Sequence, residues 1–149
     1  MASMKKISIL IADDDEVFLD LMSRYFEEYD FDVSIARDAM QASMMALRDP
    51  RPALILLDIR MPAGSGLAVL QRLRMSRKTK DIPIVAVSAD ASAGLPEEAR
   101  KLGASAFVLK PVELEDVRKL VFKLLGLEEM NTEAIPPRLL PTSAELRAH

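Results

Sequence analysis

Acidic, hydroxyl and ammonium side chains stand at the ends of short apolar runs in this chain. Ile7–Ala12 leads into Asp13-Asp14-Asp15, Ala53–Leu57 into Asp58, Ile82–Ser88 finishes on Ser88, and Ala106–Leu109 runs into Lys110-Pro111. In a parallel sheet the carboxyl ends of such runs share one edge, where ligand sites collect. Two like charges about 4 Å apart repel by roughly 4 kcal/mol at an effective dielectric near 20. Gathering Asp13, Asp14 and Asp58 therefore costs an amount comparable with the stability of a whole domain. A divalent cation or a raised carboxyl pKa must relieve it. Oxygen donors alone point to Mg²⁺, held by one or two carboxylates with positions left for a phosphoryl group. Lys110 adds a fixed positive charge and Ser88 a hydroxyl donor, a set suited to phosphoryl oxygens. Singly, an Asp beside a Lys reads as a salt bridge, a Ser at a strand end as a turn residue, and Asp15 as a helix cap. The joint arrangement at four strand ends carries the functional reading.

The apolar runs, with Asp32–Ala36 as a further one, alternate with segments of helical period, the pattern of βαβ units. Three runs are almost continuously apolar, as suits strands covered on both faces. A first helix is expected over about Glu16–Tyr29, capped by Asp15, with Val17, Phe18, Leu21, Met22, Tyr25 and Phe26 on its inner stripe. Asp38 caps a second, with Met40, Met44 and Leu47 inward, ending before Pro50. The third spans about Gly66–Arg77 with Leu67, Leu70 and Leu73 inward. Its Arg72, Arg74, Arg77 and Lys78 form a solvated basic end that complements the helix dipole. The fourth starts late, with Pro96 at its first position, and ends near Gly103. The fifth, Glu113–Leu125, repeats Leu114, Val117, Leu120, Val121 and Leu124 and stops at Gly126. Residues 5–126 read as one domain. Residues 127–149, with Pro136, Pro137 and Pro141 and no aromatic residue, read as a flexible tail or truncated linker.

Composition removes whole classes of chemistry. Among 149 residues there is no Cys, which excludes thiol nucleophiles and zinc or iron–sulfur sites of cysteine type, and the single His is the last residue, His149. A triad has no base, so histidine chemistry must come from a partner. A net charge of −3 argues against nucleic acid as a direct ligand. No apolar run has the length of a membrane span, and the N-terminus lacks a signal-peptide pattern, so a cytoplasmic protein is expected.

The stretches Ile9-Leu10-Ile11-Ala12-Asp13-Asp14-Asp15, Leu56-Leu57-Asp58-Ile59-Arg60-Met61-Pro62-Ala63-Gly64-Ser65-Gly66, Ile84-Val85-Ala86-Val87-Ser88-Ala89 and Gly103-Ala104-Ser105-Ala106-Phe107-Val108-Leu109-Lys110-Pro111 together resemble a response-regulator receiver domain of two-component signalling. The resemblance implies an α/β, flavodoxin-like, doubly wound five-stranded parallel sheet of order 2-1-3-4-5 with five helices. It implies Asp58 as phosphoacceptor, Asp14 as a direct Mg²⁺ ligand, Asp13 as a ligand largely through water, and the main-chain carbonyl of Arg60 as a further ligand. Lys110 and Ser88 would bind the phosphoryl oxygens, Phe107 would be the aromatic whose rotamer reports activation, and Lys110–Pro111 would be cis. A histidine kinase or phosphotransfer protein would be the donor. The face of the fourth helix, fifth strand and fifth helix would meet a downstream protein target. The chain is then a phosphoacceptor that catalyses its own phosphorylation and dephosphorylation, not an enzyme with a separate substrate.

Some positions depart from the commonest pattern. Ser88 stands where Thr is more frequent, and Phe107 lacks a tyrosine hydroxyl. Arg60 and Asp90 occupy the variable positions beside Asp58 and Ser88, and are expected to pair across the mouth of the site and hinder attacking water. Two other readings share these residues. Asp13-Asp14-Asp15-Glu16-Val17 fits the opening of haloacid-dehalogenase phosphohydrolases, with Asp13 as nucleophile, but leaves Asp58 without a role. A receiver fold can also act as a phosphorylation-independent binding module. No residue pattern compels a homodimer through the last helix, and none excludes it.

Overall fold

The computed structural model describes residues 6–61 and 64–127. Its elements in chain order are β1 (Ile7–Ala12), α1 (Glu16–Glu28), β2 (Phe31–Ala36), α2 (Ala39–Leu47), β3 (Leu54–Asp58), α3 (Gly66–Met75), β4 (Ile84–Ser88), α4 (Leu95–Lys101), β5 (Ala106–Leu109) and α5 (Leu114–Leu124). The strands pair in parallel in the order β2-β1-β3-β4-β5. This is the doubly wound, flavodoxin-like sheet that the alternation of runs and the resemblance imply.

The central strands are buried on both faces. Leu10, Ile55, Leu57, Ile84 and Ala86 pack beneath α2, α3 and α4. Ile9, Ile11, Leu54, Leu56, Val85 and Val87 pack beneath α1 and α5. Alternation with period two thus divides one continuous apolar run between two cores.

Two helices are rotated from the sequence expectation. In α1 the buried residues are Phe18, Leu19, Met22, Ser23 and Phe26, whereas Val17 and Leu21 are exposed. Ring packing accounts for the rotation: Phe26 meets Phe31 edge-on with centroids 5.4 Å apart, and Phe31 in turn meets Phe122. In α2, Ala39, Ala42, Ser43 and Ala46 face inward, while Met40 and Met44 are 64% and 65% exposed. Leu47 packs against the core as expected, beside Met45, but the start of the helix sits too close to its neighbours for a large inward side chain. A Cβ on Gly64 of the β3–α3 loop would already lie 3.3 Å from the Ala39 Cβ. Leu70 and Leu73 of α3 are buried as expected, joined by Val69.

Helix ends follow the capping residues. Asp15 accepts from the backbone N–H groups of Val17 and Phe18, and Asp38 from that of Gln41. The late start of α4 is observed, with Leu95 first and Pro96 second after a left-handed Gly94. Beyond α5, Gly126 adopts φ +73°, and the Leu127 N–H returns to the Phe122 carbonyl at 2.7 Å. The remainder of the 127–149 segment, His149 included, lies outside the described residues, as do Pro62 and Ala63 of the acidic-loop motif.

Candidate functional site

β1 and β3, neighbours in the sheet, deliver Asp13 and Asp58 to the same edge, and both are almost fully buried. The Asp15 N–H donates to Asp13 Oδ1 at 2.9 Å, and Lys110 Nζ donates to Asp13 Oδ2 at 2.7 Å. Asp58 is held similarly: the Arg60 N–H donates to its Oδ1 at 2.9 Å, and its Oδ2 lies 3.8 Å from Lys110 Nζ. One oxygen from each of Asp13, Asp14 and Asp58 falls within a cluster no wider than 4.8 Å. Asp14 is exposed and lines an open cleft of about 350 Å³ with Ile59, Arg60, Met61, Gly64 and Ser65. Asp15 spends its carboxylate on the cap of α1, as its position beside the helix suggests.

The electrostatics of this corner set Asp58 apart. Burial, with the Asp13 charge adding to it, pushes its carboxyl up to about 6, against the opposing pull of the Arg60 N–H and the Lys110 ammonium. Ser88 ends β4, is fully buried, and its Oγ accepts from the Asp90 N–H at 2.9 Å. The Lys110 N–H bonds the Ser88 carbonyl at 2.8 Å, and the Lys110–Pro111 peptide is cis. Asp13, Asp14, Asp58, Arg60, Ser88 and Lys110 are all delivered to the same edge of the sheet.

Residues 9–122 match the response regulator receiver domain family. The chain belongs to that family. Among curated relatives, it is 32% identical over 119 residues to the polar-differentiation response regulator DivK of Brucella anthropi, covering 80% of this chain and 96% of the relative. Among solved structures, a CheY-like response regulator receiver domain protein from Methanospirillum hungatei superposes with TM-score 0.75 at 26% identity, covering 85% of this chain and 98% of that one. The receiver domain of the sensor histidine kinase PA1611 from Pseudomonas aeruginosa, solved with a magnesium ion coordinated in its active site cleft, shares the fold. Its TM-score is 0.75 at 24% identity, covering 82% of this chain and 99% of that one.

Within this receiver domain, three features lay beyond sequence reasoning. The Lys110 ammonium sits 4.3 Å above the centroid of the Phe18 ring, which fixes it from below. Gly66 is required by a close approach, because a Cβ there would lie 2.3 Å from the Asp58 carbonyl oxygen. Arg37, after β2, forms a two-pronged ion pair with Glu16 at the start of α1. None has a motif of its own, since each depends on residues distant in the chain. The Arg60 guanidinium pairs with the Asp90 carboxylate, as the two variable positions suggest. Phe107 of the receiver's β5 is half-buried against the α2–α3–α4 core. It also lines a groove of about 240 Å³ with Pro96, Glu97, Arg100, Ala104, Ser105 and Ala106. Among the described residues, no helix is long and apolar enough to cross a membrane.

Proposed function

We propose that this receiver domain is a switch in which Asp58 accepts a phosphoryl group from a phosphohistidine on a partner kinase or phosphotransfer protein. The observation that carries the reading is the buried Asp58 carboxylate, with Oδ1 fixed by the Arg60 N–H and Oδ2 turned toward the Lys110 ammonium. The free Oδ2 attacks phosphorus. The new P–O bond forms as the P–N bond to the donor imidazole breaks, and the imidazole nitrogen takes up a proton. Such a transfer asks for positioning and charge neutralisation rather than for further covalent chemistry.

The residues present fit a hard divalent cation: three carboxylate oxygens are clustered, and every donor on offer is oxygen. Asp13, Asp14, Asp58 and the main-chain carbonyl of Arg60 would hold Mg²⁺, which when bound neutralises charge on the phosphoryl oxygens. Lys110, whose ammonium rests over the Phe18 ring, binds one phosphoryl oxygen by turning from Asp13. Ser88 donates its hydroxyl proton to another, its lone pair remaining available to the Asp90 N–H. Phe107 follows into the space that Ser88 leaves, and the face of α4, β5 and α5 changes its preference for a downstream protein. Slow attack by water returns the switch to its resting state. On this reading the protein works in the cytoplasm beside its kinase.

Intact-mass measurement with acetyl phosphate and Mg²⁺ tests the proposal. The expected result is a gain of one phosphoryl group, absent in Asp58→Ala and after chelation. Labelling of Asp13 in place of Asp58 would overturn it in favour of dehalogenase-type chemistry.

A further inference from the structure

α2 carries no charged residue, and apart from Gln41, whose Oε1 accepts the Arg37 N–H, the side chains it exposes are methionines. Its small residues face inward and Met45 packs partly buried against the core, while Met40 and Met44 face outward. Met40 and Met44, one turn apart, are about two-thirds exposed, and Met75 of α3, in the same helical layer, is 80% exposed. Arg72 of α3 joins the two helices through its bond to the Ser43 hydroxyl at 3.4 Å. Neither the phosphoryl site nor the α4–β5–α5 face uses these residues.

The charge around this layer opposes that of the whole molecule. Residues 38–51 and 66–81 contain seven Lys and Arg against three Asp, in a chain of net charge −3. Asp38 and Asp49 are already engaged, the first capping α2 and the second pairing with Arg51. Arg48 and Arg72 have no ion-pair partner among the described residues. Flexible, polarisable methionines suit a surface that adapts to an apolar helix face, and an arginine rim selects carboxylates on either side of it. We propose that the outer face of α2 and α3 docks an acidic amphipathic helix of a partner protein, independently of phosphorylation.

The protein's own methionines provide the test. In protein labelled with ¹³C at the methionine methyls, a synthetic amphipathic peptide of about 18 residues, long enough to hold a helix, is titrated in. It carries Leu at i, i+3, i+4 and i+7 and Glu on the opposite face. The expected result is saturable shifts at Met40, Met44 and Met75, with the buried Met22 unmoved. Binding should weaken by about tenfold in Met40→Gln/Met44→Gln and about fivefold in Arg72→Glu, and survive in Met44→Leu. Unchanged melting midpoints confirm that the variants fold. The proposal is overturned by absent or non-saturable shifts at these methyls, or by equal binding of the Lys version of the peptide. Shifts that follow protein concentration alone overturn it in favour of a second copy of the chain. Shifts with phosphatidylglycerol vesicles but not with the peptide overturn it in favour of a membrane surface.

Discussion

Arg60 and Asp90, side chains just beyond the ends of β3 and β4, are joined by an ion pair across the mouth of the proposed phosphoryl site. Each is also tied by its backbone to a proposed working residue, Arg60 N–H to Asp58 and Asp90 N–H to Ser88. The Ser92 hydroxyl and N–H, with Arg60, keep the Asp90 carboxyl below the usual carboxylate range, so the pair is fully charged at neutral pH.

If Asp58 is the phosphoacceptor as proposed, this charged bridge at the entrance hinders the attacking water. Arg60→Asn is expected to shorten the half-life of the phosphorylated protein by about tenfold, equivalent to roughly 1.4 kcal/mol of barrier. The half-life is read by intact mass after the phosphodonor is removed. An unchanged half-life sinks the screening role, whereas loss of phosphorylation itself would concern Asp58 and its loop.

The raised carboxyl of Asp58 sets a pH dependence for the protein without divalent cations. Its pKa is about 6 when folded, against an ordinary value of 3.8, so the folded state binds the proton more tightly. The associated stabilisation is complete below pH 3.8 and is lost as pH rises through about 6. Allowing for solvent screening, the loss amounts to about 1–2 kcal/mol. Melting curves in EDTA should therefore show Asp58→Asn gaining several degrees over the native protein at pH 7.5 and about half as much at pH 5. Equal gains at both pH values would refute the assignment.

The convergence of the candidate residues was legible because they stand at the ends of strands, and strand ends can be read from where an apolar run stops. Asp58 follows four apolar residues and Lys110 follows another run, so their edge of the sheet is set once the strands are parallel. Helix rotation was not legible. Met40 and Met44 fit an inward stripe with Leu47 by spacing as well as Ala39, Ala42 and Ala46 do, and of the three only Leu47 packs against the core. The choice depends on how closely Gly64 and α3 approach, which no local pattern records. Phe18 illustrates both sides: its burial follows from periodicity, but its place beneath Lys110 depends on a residue in a distant strand–helix loop.

Gly66 is a strict steric requirement. It begins α3 directly against β3, where a Cβ would lie 2.4 Å from the Ile59 Cα as well as against the Asp58 carbonyl. Neither neighbour is a flexible side-chain end. Gly66→Ala should cost about 3 kcal/mol or displace the loop that holds Asp58. A midpoint within a degree of the native one, with phosphorylation intact, would contradict the tight approach.

Lys110 bears on stability as well as on the proposed transfer. Its ammonium is the charge that offsets a fully buried Asp13, and removing one partner of such a pair leaves the other charged and uncompensated. Lys110→Met is expected to destabilise the metal-free protein at neutral pH by about 3 kcal/mol. Adding Asp13→Asn removes the stranded charge, so the double variant should recover most of that loss. The cycle of four proteins, measured by urea unfolding, then yields a coupling energy well above that of an exposed pair. Strict additivity of the two substitutions would show that Lys110 contributes little to holding the resting site together.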